Sequence, residues 1–115
     1  MEAVILFTQG PRRVTAIGPS EPLDTVELIN FRGLQLTLTL IGFEGASDPV
    51  IHVAMETSMS FKDGFTPLGR FLPLVADGET CNQHFDGALR FVRWNVVQLA
   101  GATAATFTLD GTALP

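Results

Sequence analysis

Tyrosine is absent from this 115-residue chain, cysteine, tryptophan and lysine occur once each, and histidine occurs twice. The single Cys81 excludes an internal disulfide framework. Two histidines leave few candidates for a general base and do not fill a four-ligand zinc site alone. Seven basic residues against twelve acidic ones give a net charge of −5. That balance speaks against a grip on nucleic-acid phosphates, which needs clustered Lys and Arg. No apolar run approaches the ~20 residues that span a bilayer, so no membrane partner is expected. The opening Met1-Glu2-Ala3-Val4-Ile5-Leu6-Phe7 is acidic, and its apolar stretch is shorter than a secretory signal requires. Glycosylation sequons and lipidation motifs are missing too, so the expected product is soluble and made in a cytoplasm.

What is present favours a packed core. Hydrophobic residues make up 46% and charged residues 17%, a balance that excludes disorder. Area scaling gives roughly 18,000 Å² for the unfolded chain and roughly 6,100 Å² for the folded one. One domain over residues 1–115 is expected, and it needs no metal or disulfide staple. Leu34, Leu36, Leu38 and Leu40 alternate with Gln35, Thr37 and Thr39, and Ala105, Phe107 and Leu109 alternate with Thr106 and Thr108. This is the period of a strand with one buried face. Strands are expected over 2–8, 12–17, 25–30, 34–41, 50–58, 65–75, 89–100 and 103–110. In the run ending at Ala100, apolar residues lie on both faces, which suits a central strand. Asp63-Gly64, Asp77-Gly78, Asp86-Gly87 and Asp110-Gly111 read as turns. About eight short strands without a helical period read as an all-β, single-domain antiparallel β-sandwich. Jelly-roll-like wiring is preferred because the immunoglobulin pattern normally carries a second cysteine.

Candidate chemistry is sparse. His52 and Glu56 lie four residues apart on a strand, roughly 13 Å, too far for one ion. Cys81 and His84 form a C-x-x-H spacing in what reads as a loop, but the only other histidine is far along the chain, and the acids around them are not the electropositive setting a reactive thiol needs. Asp77, Glu79 and Asp86 do not follow the calcium-loop series. Ser58 and Ser60 lack the glycine-flanked elbow of a hydrolase. No enzyme activity, metal or cofactor is expected. Arginine outnumbers lysine six to one, and its planar fork suits protein interfaces. Arg12, Arg13, Arg90 and Arg93 are the candidate interface residues. Trp94, between Val92 and Val96, reads as core, which leaves a carbohydrate platform without its usual exposed ring.

From Asp48 to Leu109 the chain resembles small β-sandwich structural proteins of tailed-bacteriophage and prophage particles. Glu56-Thr57-Ser58 followed by Phe61-Lys62-Asp63-Gly64-Phe65-Thr66-Pro67-Leu68-Gly69-Arg70-Phe71 is similar to their "E-S-x-D-G-x-x-W-x-x-L-G-x-F" hairpin. Leu89 to Val96 resembles their "Y-[LV]-R" strand, and Gly101 to Thr108 their closing strand. Phe65 and Phe91 stand where Trp and Tyr are usual, which removes polar handles. Discoidin-like carbohydrate-binding sandwiches use related patterns, and residues up to Asn30 carry no resemblance. The resemblance implies a decoration, head-fibre or minor capsid protein. It would be made in the bacterial cytoplasm and would bind other copies of itself, as a symmetric homo-oligomer, and a major capsid or shell protein. Residues 1–10 are then a candidate assembly arm. A small carbohydrate- or surface-binding module is the alternative.

Overall fold

The leucine alternation becomes the centre of the molecule. Leu34, Leu36, Leu38 and Leu40 are fully buried, while Gln35 and Ile41 between and beyond them are exposed. The computed structural model describes residues 5–115. Its strands are β1 (Ile5–Val14), β2 (Gly18–Pro19), β3 (Val26–Glu27), β4 (Gly33–Glu44) and β5 (Val50–Ser58), then β6 (Thr66–Arg70), β7 (Thr80–Phe85), β8 (Phe91–Ala100) and β9 (Ala104–Leu114). They form two antiparallel sheets. The first has the order β1-β9-β4-β7, and the second β2-β8-β5-β6 with β3 also paired to β8. The chain changes sheet at every connection except β2–β3 and β5–β6. With β2 and β3 counted as one broken strand, this is jelly-roll wiring, two Greek keys folded face to face.

Between the sheets, the leucines of β4 and Phe107 and Leu109 of β9 meet Ile51, Val53 and Met55 of β5 and Val92, Trp94 and Val96 of β8, all buried. The Trp94 and Phe107 rings meet edge to face at 5.1 Å across the two layers. The accessible surface is 6280 Å², close to the folded value expected from chain size. β8 is central, flanked by β2 and β3 on one side and β5 on the other. Its two-sided apolar pattern reflects that position.

Several boundaries differ from the sequence reading. The first two expected strands are one, β1, bent by a register shift between Gln9 and Arg12, where Gly10 and Pro11 occupy a bulge. Residues 5–10 of the expected assembly arm therefore belong to the chain's own sheet, and residues 1–4 lie outside the described residues. The segment 80–85, expected as loop, is β7. Its alternation of Cys81, Gln83 and Phe85 was obscured by a glutamine on the inner face. Asp110-Gly111 is not a turn but the middle of β9, opposite Thr37 and Leu36. A Cβ on Gly111 would lie 2.8 Å from Leu36 Cα, so glycine serves close backbone approach here. The other three Asp-Gly pairs do lie between strands, each glycine with a positive φ.

One buried polar residue joins the layers. Gln9 on β1 accepts the Trp94 Nε1–H at 2.8 Å and donates its own amide to the Asp24 carbonyl at 2.7 Å. The Arg12 guanidinium closes the same corner with two 2.8 Å bonds to the Asp24 carboxylate. Gln9→Leu would leave the indole N–H without its partner and remove the donor to Asp24. We expect a loss of about 2–4 kcal/mol in urea-unfolding stability; an unchanged midpoint would contradict this role.

Candidate functional site

The wiring gathers three connections at one end. β3 ends beside the start of β8, β5 ends beside the start of β8, and β7 ends beside the start of β4. Residues 28–32, Met59 and residues 87–90, from these three connections, therefore converge and line a cleft of about 630 Å³. Its lining is mostly apolar and includes Leu28, Ile29, Phe31, Met59, Ala88 and Leu89, with Arg32 and Arg90 among the polar contributors. Ile29, Met59 and Leu89 are 62%, 58% and 40% exposed, and Phe61 beside them is 54% exposed.

Hydrogen bonds fix the walls. Leu28 N–H donates to Arg90 C=O at 2.6 Å, Ala88 N–H to Arg32 C=O at 2.9 Å, and Arg32 N–H to Leu114 C=O at 3.0 Å. The buried Thr57 hydroxyl donates to Phe91 C=O and accepts from Leu89 N–H, both at 2.8 Å. Asn30 and Gly87 take left-handed backbone at φ 66° and 83°, which Asn tolerates and Gly adopts without cost. The cleft is thus preformed. It presents apolar surface and guanidinium donors, a chemistry suited to an apolar segment with an oxygen acceptor at its edge.

The apolar surface continues onto the outer face of the second sheet. Phe61 packs on Phe91 at 4.8 Å and on Phe65 at 6.3 Å. Arg90 stacks on Phe91 at 5.2 Å and Arg93 on Phe65 at 3.9 Å. Of the four expected interface arginines, Arg90 and Arg93 therefore lie at or beside the cleft. Arg12 and Arg13 pair with Phe107 and Thr106 on β9, toward the other end. All four also pair within the chain: Arg12 with Asp24, Arg13 with Glu44, Arg90 with Glu27 and Arg93 with Glu56. The hydrogen bond with Glu44 raises the Arg13 pKa, and that with Asp24 raises the Arg12 pKa.

The other sequence candidates separate. Cys81 is buried, whereas His84, three residues on, is exposed and contacts Asp86 at 2.9 Å. An odd spacing on a strand places them on opposite faces. Asp77 accepts from Phe43 N–H, and Glu79 accepts from Val75 and Ala76 N–H. Among the described residues, no group of three or more His, Cys, Asp or Glu side chains is placed to hold a metal ion. Trp94 is buried and bonded to Gln9, so it offers no ring to a sugar. The sequence reading missed the cleft itself. Its signal was apolar Ile29, Met59 and Leu89 inside turn segments, where solvated loops usually carry polar residues. The chain matches no protein-family model and no curated protein.

Two outcomes follow from these bonds. Thr57→Val leaves the Leu89 N–H without its acceptor; we expect a loss of about 1–3 kcal/mol by urea unfolding, and unchanged stability would contradict the anchor. The Glu79 carboxylate is held below its ordinary value of 4.5 by the Val75 and then the Ala76 N–H, and Glu44 is lowered chiefly by its bond from Arg13. A lowered folded pKa stabilises above the unfolded value and loses that stabilisation as pH falls through the folded one. Thermal unfolding from about pH 5 to 3 should therefore decline less steeply in Glu79→Gln than in the wild type. Identical slopes would contradict the assignment.

Proposed function

We propose that the protein is a non-enzymatic structural subunit of a phage or prophage-derived particle. In this reading it is made in the bacterial cytoplasm and attaches through protein–protein contacts to a shell protein and to further copies of itself. The observation that carries this reading is the preformed apolar cleft with its exposed Ile29, Met59 and Leu89 and with Arg32 and Arg90 among its lining. Exposed apolar side chains held on hydrogen-bonded loops are anchors that need little ordering on binding. Jelly rolls recur in capsid proteins, and the hairpin and strand motifs described above resemble those of particle components. The Phe61–Phe91–Phe65 strip with its stacked arginines extends the same contact surface.

The test is co-sedimentation with purified particles from the source cells. The wild-type chain should appear at a fixed ratio to the shell protein. Ile29→Glu with Leu89→Glu should keep the far-ultraviolet circular dichroism and lose about tenfold or more of the bound fraction. Absence of the wild-type chain from particles, or full retention of the folded double variant, would overturn the proposal.

A further inference from the structure

The four sheet edges are not equally protected. A free edge exposes unpaired N–H and C=O groups, and proteins blunt it with proline, bulges or very short strands. β1 carries Pro11 at a register shift. β6 carries Pro67 beside a second shift. The remaining edge is broken into β2 and β3, two residues each. β7 has none of these devices. It runs six residues, Thr-Cys-Asn-Gln-His-Phe, without proline, glycine, lysine or acid, and pairs with β4 in unbroken register.

The free side of β7 follows from the ladder. Leu40 N–H bonds Glu79 C=O at 2.9 Å, so alternate residues beyond it face away from β4. These are Thr80, Asn82 and His84, all exposed. Among the described residues no loop backbone bonds to their N–H or C=O groups, and the side-chain contacts there are local ones, Gln83 Nε2–H to His84 C=O at 3.3 Å and Cys81 Sγ–H to Asn82 C=O at 3.9 Å. Two apolar side chains flank this edge. Leu72, whose N–H reaches Cys81 Sγ at 3.4 Å, is 69% exposed, and Val75, bonded to Glu79, is 53% exposed. The carboxylates at the strand's ends are engaged, Glu79 with Val75 and Ala76 N–H and Asp86 with His84.

We infer that β7 is a dimerisation edge that pairs antiparallel with β7 of a second copy about a two-fold axis through Asn82. This deepens the assembly reading by naming the self-contact, and rests on it only in taking the chain to associate with itself. Asn82 faces its symmetry mate, and Thr80 faces the mate's His84. The pairing supplies about six backbone hydrogen bonds and joins two four-stranded sheets into one continuous sheet. A second copy is the fitting occupant because the strand is self-complementary. It carries no acid or lysine between Thr80 and Phe85. The Glu79 and Asp86 carboxylates that approach at the seam's ends are each engaged within their own chain, and the two-fold brings the Leu72 and Val75 flanks of both copies to one seam.

Cross-linking tests the axis directly. Paired strands would place the two Asn82 Cα atoms about 5.5 Å apart, inside the disulfide range of about 4.4–6.8 Å. Asn82→Cys in a Cys81→Ser background should give a covalent dimer on mild diamide oxidation, while Thr108→Cys in the same background, on the outer face of β9, should not. In the otherwise native chain, Asn82→Lys should weaken dimerisation by about tenfold or more in sedimentation equilibrium. Equal cross-linking at both positions, a wild-type monomer near 100 µM (roughly the upper range for a weak edge contact), or an Asn82→Lys dimer of undiminished strength would overturn the assignment. Particle binding through the cleft is read in the separate co-sedimentation experiment, so either result can fail without the other.

Discussion

Everything in this molecule depends on alternate side chains from two pairs of central strands filling one space. β4 and β9 send Leu34, Leu36, Leu38, Leu40, Phe107 and Leu109 inward from the first sheet. β5 and β8 answer with Ile51, Val53, Met55, Val92, Trp94 and Val96. A one-residue slip of β4 against β9 would turn threonines inward and leucines outward, so the core fixes the register. Gly111 enforces the same register from the backbone side, because no other residue fits against Leu36 there. Once the register is fixed, the jelly-roll crossings bring three connections to one end, and the cleft is a consequence of the wiring.

Polar groups then set corners that apolar packing alone leaves undetermined. Gln9 ties the first sheet to Trp94 of the second and to the turn at Asp24. Thr57, buried at the end of β5, ties the β7–β8 connection to β8. Such bonds add modest net stability, but each is costly to leave half made. They select one loop geometry over its neighbours, and the Thr57 bond holds Leu89 in place at the cleft.

The central strands were legible because period-2 alternation over Leu34–Leu40 and Ala105–Leu109 has no helical counterpart. The burial of Trp94 and the β5–β6 hairpin at Asp63-Gly64 were legible for similar local reasons. β7 was not, since an edge strand needs few apolar residues and Gln83 interrupts its inner face. Asp110-Gly111 misled because the same dipeptide serves a tight turn and a close backbone approach, and only the opposing Leu36 tells them apart. The union of 5–8 with 12–14 in β1 was hidden by Gly10-Pro11, which reads as a break and folds as a bulge. The in-chain pairing of the four arginines was not legible, since their partners Asp24, Glu27, Glu44 and Glu56 come from distant parts of the chain. The cleft arises from segments up to sixty residues apart, a distance roughly beyond what any local pattern reports.

Amide hydrogen exchange resolved to single residues tests the central claim most directly. If the central strands hold the end loops in one geometry, the Leu28, Ala88 and Leu89 amides exchange slowly, with protection approaching that of β4, β5, β8 and β9. Exchange of these three at unprotected rates, while the central strands stay protected, would show a loose end instead of a preformed cleft and would contradict the account.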